Sequence, residues 1–178
     1  MLYYFPNILS LEECRTLLYQ FDKEKLNIVS SDIKSDTNKS YGFRPNSNIF
    51  NEYMDKVKDA VLNVCPKEII GLNNVNTYIR EYLNDSFLVK HIDRKDISVT
   101  MSICLESTIK TKWPLCAEIN NKVKCFNTNI GDGILLFDAD KNAHWRDTLY
   151  CNENERVVQF FLHWSPSLYV GKKKNTLI

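Results

Sequence analysis

Ile97-Ser98-Val99-Thr100-Met101-Ser102-Ile103-Cys104-Leu105 is the stretch on which the fold turns. Side chains alternate faces along an extended chain, so Val99, Met101, Ile103 and Leu105 share one face, and Ser98, Thr100, Ser102 and Cys104 share the other. That pattern predicts a β-strand with one face on a core. Its small polar face is turned either to solvent or to a ligand.

Strand signals continue on both sides. Val75 to Tyr82 and Phe87 to Asp93 alternate apolar and polar residues. Leu115 to Ile119 and Val123 to Phe126 predict a hairpin across Asn120-Asn121, whose residues tolerate left-handed turns. Gly131-Asp132-Gly133 is a turn leading into the short apolar run Ile134-Leu135-Leu136-Phe137, and Arg156 to Trp164 is the last strong strand. Ahead of these, Ser10 and Glu13 fit a capping box, followed by Leu11, Cys14, Leu17, Leu18 and Phe21 at helical spacing. A second helix is expected from Ile49 to Asn63, stopped by Pro66. Residues 28–48 read as a long polar connection, a candidate lid. The order predicts a mainly β protein with N-terminal helices, an antiparallel barrel or jelly roll. One domain over 1–178 is expected: helical support and polar loop over 1–66, β core over 74–164, tail over 165–178.

The chain has 178 residues, with 44% hydrophobic and 25% charged residues and a net charge of +1. These are ordinary globular values. The near-zero charge disfavours nucleic acid held by bulk electrostatics, and Lys172-Lys173-Lys174 reads as a solvated end. No stretch approaches the roughly 18 apolar residues of a membrane span. The start lacks a basic and then long apolar leader, so an intracellular, cytoplasmic protein is expected. The six cysteines contain no C-x-x-C pair and are expected to be free, mostly buried thiols.

His91-Ile92-Asp93 is the stretch that carries chemistry. On a strand, His91 and Asp93 point the same way, and an imidazole and a carboxylate from one short stretch can converge on one metal ion. His144, from a distant strand, completes two histidines and one carboxylate. That donor set suits non-haem Fe(II) and leaves coordination positions open.

With Tyr82 before it, the polar-faced strand after it, Gly131-Asp132-Gly133, His144-Trp145-Arg146 and Arg156, this region resembles the 2-oxoglutarate- and Fe(II)-dependent oxygenases of the prolyl-4-hydroxylase-like branch. The resemblance implies a double-stranded β-helix (jelly-roll, cupin-like) core, with His91, Asp93 and His144 as iron ligands. It implies 2-oxoglutarate and O2 as co-substrates, with ascorbate as a candidate auxiliary reductant. Succinate and CO2 would accompany hydroxylation of a protein side chain or small molecule. Arg156, twelve residues after His144 (156 − 144), would pair with the far carboxylate of 2-oxoglutarate. Arg146 is its rival for that task. Tyr82, Thr100 and Ser102 would line the co-substrate pocket. Arg146, Arg94 and Trp145 are candidates for contacting substrate or orienting a ligand, and His163 is expected to be structural. Trp113-Pro114-Leu115-Cys116-Ala117-Glu118 stands where prolyl-directed relatives often carry a Gly-Gly-x-Thr-like segment, which puts a prolyl substrate in doubt. The alternatives are a metal-dependent barrel that needs no 2-oxoglutarate, and a barrel that binds without turnover.

Overall fold

The computed structural model describes residues 1–27 and 40–169. In chain order the elements are β1 (Leu2–Phe5), α1 (Leu11–Lys25), β2 (Ser40–Phe43), α2 (Ile49–Val64), β3 (Ile69–Tyr82), β4 (Leu88–His91) and β5 (Val99–Ser107). There follow β6 (Leu115–Ile119), β7 (Lys122–Phe126), β8 (Gly133–Phe137), β9 (His144–Arg146) and β10 (Val157–Tyr169).

The strands form a six-stranded sheet in the order β1-β8-β5-β10-β3-β2 and a four-stranded sheet in the order β4-β9-β6-β7. The alternation read in Ile97–Leu105 sets which face does what. Val99, Met101, Ile103 and Leu105 pack on the outer side of the large sheet, in one core with Val158, Phe160, Leu162 and Trp164 of β10. Both helices dock there, α1 through Cys14, Leu17 and Phe21 and α2 through Phe50, Met54, Val57 and Val61. Burial of each large apolar side chain stabilises by about 2 kcal/mol, so docking more than propensity holds these helices. The capping box at Ser10 and Glu13 is present, whereas Leu11 is exposed rather than part of the apolar stripe.

The inner side of the large sheet faces the small sheet. Thr100 and Ser102 from β5, Phe161 and His163 from β10, and Tyr78, Arg80 and Tyr82 from β3 line a cavity closed on the other side by Leu88, His91, Leu115 and His144.

Three expectations are revised. First, β1 and β2 extend the large sheet at its two edges, pairing with β8 and β3, and neither was expected. β2 occupies residues 40–43 of the polar connection 28–48; its first part, residues 28–39, lies outside the described residues, as does Lys172-Lys173-Lys174. Second, β3 starts at Ile69 and β10 runs to Tyr169, beyond the bounds of the expected β core. The Asn-rich outer part of β3 is only partly covered, so its sequence carries no clean alternation. Third, Cys116 and Cys125 form a disulfide, with Cα atoms 4.0 Å apart, while Cys14, Cys65, Cys104 and Cys151 are free. The hairpin imposes that pair: Asn120 and Asn121 both have positive φ, and the register places Cys116 opposite Cys125.

The Gly131-Asp132-Gly133 turn ties the sheet to the N-terminal segment. Gly131 has φ +89, and a Cβ there would lie 2.3 Å from the Leu9 carbonyl oxygen. The Asp132 carboxylate accepts from the Tyr4 hydroxyl and from the backbone N–H groups of Asn7 and Asn129.

Candidate metal centre

His91 ends β4, His144 opens β9, and the two are direct partners in the antiparallel ladder. Their rings therefore lie side by side, with centroids 4.3 Å apart. Asp93 lies just past β4, where its N–H donates to the Ala139 carbonyl at 2.9 Å. One ligand atom from each of His91, Asp93 and His144 lies within 4.8 Å of the others. The Asp93 Oδ1 is 3.6 Å from His91 Nε2 and 3.8 Å from His144 Nε2.

The neighbours of the three residues fix which atoms are offered. His91 Nδ1 is 2.7 Å from the Val89 carbonyl oxygen, and His144 Nδ1 is 3.1 Å from that of Asn142. A carbonyl only accepts, so Nδ1 carries the proton on both rings and each Nε2 keeps its lone pair facing Asp93. Thr100 donates to Asp93 Oδ2 at 2.6 Å, leaving Oδ1 to the shared point.

Electrostatics follow this geometry. Burial opposes charge on His91, but Asp93 and the Val89 carbonyl outweigh it and raise its pKa. Burial would likewise raise Asp93, yet the facing His91 and His144 rings and the Thr100 hydroxyl hold it low. His144 is lowered, chiefly by burial and also by His91. The cluster thus pairs an ionised carboxylate with lone-pair-bearing imidazoles, the donor set of a divalent transition metal.

Tyr82, Thr100 and Ser102 line the same cavity, which has a volume of about 130 Å³. The Tyr82 hydroxyl is buried there with no hydrogen-bond partner.

Arg156 does not line it. It precedes the first residue of β10 and turns to the helix side, where Asp22, Glu81 and Glu106 bind its guanidinium at 3.0, 2.8 and 2.5 Å. Three carboxylates raise its pKa further above the ordinary arginine value, the Asp22 pair contributing most. The face of β10 that lines the barrel carries Val157, Gln159, Phe161 and His163 instead. Arg94 is exposed and paired with Asp96 at 3.0 Å, and Trp145 points away from the cavity, under the Lys90 ammonium at 4.8 Å.

Arg146 lies inside the barrel. It is 2% exposed. Its Nη1 donates to the Trp113 carbonyl at 2.7 Å, its Nη2 to Gln159 Oε1 at 3.3 Å, and its Nε has no partner. No carboxylate among the described residues contacts it, and burial lowers its pKa.

His163 and Arg80 are cavity residues that the sequence reading missed. His163 is paired with Thr100 across β10 and β5, its Nδ1 is buried without a partner, and burial lowers its pKa to about 4. Arg80 was within reach of the reading, because it shares a strand face with Tyr82 two residues on.

No protein-family model matches the sequence, and no curated protein matches it. Solved structures do match. HygX from Streptomyces hygroscopicus, with nickel and 2-oxoglutarate bound, aligns with TM-score 0.68 and 12% identity over 93% of this chain and 83% of that one. The viral collagen prolyl hydroxylase of Paramecium bursaria Chlorella virus-1, in complex with 2-oxoglutarate, aligns with TM-score 0.65 and 14% identity over 92% and 95%. A Pseudomonas putida prolyl-4-hydroxylase aligns with TM-score 0.64 and 10% identity, over 91% of each chain. The fold is the double-stranded β-helix. In that architecture the large sheet carries the helices on its back, and the small sheet carries both histidines of the triad. No helix among the described residues is long and apolar enough to cross a membrane.

Proposed function

We propose that the protein is an Fe(II)- and 2-oxoglutarate-dependent oxygenase, with His91, Asp93 and His144 as the iron ligands. The observation that carries this reading is the convergence of the three ligand atoms within 4.8 Å, with both imidazoles in the tautomer that offers Nε2. Of the three matching structures named above, two hold 2-oxoglutarate, and one of those holds nickel as well.

When bound, iron and 2-oxoglutarate supply the oxygen-activating redox chemistry: 2-oxoglutarate, O2 and a substrate C–H become succinate, CO2 and the hydroxylated substrate. One oxygen atom ends in succinate and the other in the new hydroxyl. The chain's own residues place and shield. Thr100 keeps Asp93 turned to the metal, and the Val89 and Asn142 carbonyls hold the two imidazoles. The buried Tyr82 hydroxyl and Ser102 offer hydrogen bonds within the cavity. Leu88, Leu115, Ile134, Leu136 and Phe161 keep it dry.

The far carboxylate of the co-substrate falls to Arg146 rather than Arg156. Residues i and i+2 of a strand share a face and lie about 7 Å apart, so Arg146 stands below His144 on the inner face of β9. A buried guanidinium with only neutral partners is costly, and an incoming carboxylate removes that cost. The absence of a cation on the inner face of β10 favours a barrel that works without 2-oxoglutarate; Arg146 answers it.

Anaerobic addition of Fe(II) and 2-oxoglutarate tests the proposal. A visible charge-transfer band is expected, and its loss in His91→Ala. Folded protein that gives no band under these conditions rules the proposal out.

A further inference from the structure

The barrel has a second cavity at the other end from the triad. Its volume is about 510 Å³, against about 130 Å³ for the triad cavity. The two follow one another along β5: Thr100 and Ser102 line the first, Cys104 and Ser107 the second. Gln159 joins a residue of each lining. Ser102 donates to Gln159 Oε1 at 2.9 Å from the triad side, and Arg146 donates to the same oxygen from the other.

The second cavity is built for an anion. Arg146, Lys110 and Lys112 line it, and its described lining contains no carboxylate. The lysines are at its exposed rim, while Arg146 and Gln159 are 2% and 1% exposed at its floor. Arg146 Nε and Gln159 Nε2 are both buried without partners.

We propose that the dicarboxylate co-substrate enters, and its dicarboxylate product leaves, through this second cavity and not past the metal. This rests on the reading of Arg146 as the carboxylate anchor. The lysines at the rim raise the local concentration of a dianion, which then meets Arg146. The Gln159 amide oxygen occupies the place between Ser102 and Arg146 that a carboxylate oxygen takes over, and the freed amide N–H can then bond the same anion. The substrate, approaching at the triad end, does not block this path. Co-substrate exchange with substrate in place follows.

Anaerobic stopped-flow mixing of the Fe(II) protein with 2-oxoglutarate, followed by the charge-transfer band, tests it. Lys110→Gln/Lys112→Gln is expected to slow association by about three- to ten-fold at low salt, to flatten its salt dependence, and to leave dissociation unchanged. Thr128→Trp, at the mouth of the same cavity, is expected to slow association and dissociation together, with the equilibrium constant held within about two-fold. A full band amplitude at saturation shows that each variant still assembles the site. Association at the unmodified rate in both variants overturns the second entrance while leaving the oxygenase reading intact. No band in the unmodified protein removes both.

Discussion

Thr100 holds the oxygen of Asp93 that the two imidazoles do not face. Its hydroxyl donates to Oδ2 at 2.6 Å, while Oδ1 faces both imidazoles. Thr100 sits on β5 of the large sheet, and the histidines sit on the small sheet. This one bond therefore fixes the carboxylate across the gap between the sheets.

Thr100→Val keeps the shape and deletes the donor. Outer partners of this kind typically contribute 10- to 100-fold in metal affinity, so a loss of about that size is expected, with Thr100→Ser near the unmodified value. Competition with a chelator measures it. Equal affinity in Thr100→Val and the unmodified protein would show that the hydroxyl does not orient the ligand.

Arg146 and Arg156 should separate cleanly. Arg146→Met removes a charge-assisted contact to the far carboxylate, so 2-oxoglutarate affinity should fall about 100-fold, from roughly 3 kcal/mol. Ligand-free stability should hold or rise, because a buried cation without a counter-charge is gone. Arg156→Met should do the reverse. It leaves Asp22 and Glu106 without their shared cation, and Glu81, only 3% exposed, with Lys25 alone. A loss of about 2–3 kcal/mol in stability is expected, less than for a fully buried pair because Arg156 is partly solvated. Titration of the band and thermal melts of both variants read the two effects.

The same pair shows where the sequence stopped speaking. Alternation in Ile97–Leu105 was legible because one face is apolar and the other polar. In β10 the two faces are Val158, Phe160, Leu162 and Val157, Gln159, Phe161, all buried but the half-buried Phe161. Alternation then says which residues share a face but not which face lines the barrel, and Arg156 was expected on the wrong side. The triad was legible because His91 and Asp93 are local. The His91–His144 pairing was not, since it depends on a long-range register. The disulfide left a signal that was not followed: a two-residue turn at Asn120-Asn121 pairs residues whose numbers sum to 241 (120 + 121), as do Cys116 and Cys125.

His163 makes stability depend on pH. Its folded pKa is lowered to about 4, because burial disfavours the charged ring. The unfolded ring, near the ordinary value of about 6.5, binds the proton first as pH falls. The stabilisation is complete above that value and is lost as pH drops towards 4. Between pH 7.5 and pH 5 this amounts to about 2 kcal/mol. Denaturant unfolding at both pH values should show that loss in the unmodified protein and little of it in His163→Phe. The same loss in both chains would remove His163 as the source.

Gly131 should tolerate no side chain. Its φ of +89 is a conformation that L residues rarely adopt, and a Cβ would meet backbone, the Leu9 carbonyl oxygen at 2.3 Å. The Leu9 N–H donates to the Gly131 carbonyl at 3.1 Å, so neither strand of chain can step aside without breaking that bond. Leu9 immediately precedes the cap of α1, so any shift passes to the helix that buries Cys14, Leu17 and Phe21. Gly131→Ala should therefore cost about 2–4 kcal/mol. In Gly133→Ala the new methyl meets side chains instead, Ile8 Cγ2 at 3.1 Å and Met101 Sδ at 3.3 Å. A thioether can give way, and a smaller cost, about 1 kcal/mol, is expected. For a chain of this size each kcal/mol moves Tm by about 2–4 °C, so melts of the two variants resolve the order. A Gly133→Ala melt at or below that of Gly131→Ala would show that backbone contact at Leu9 is not what demands the glycine.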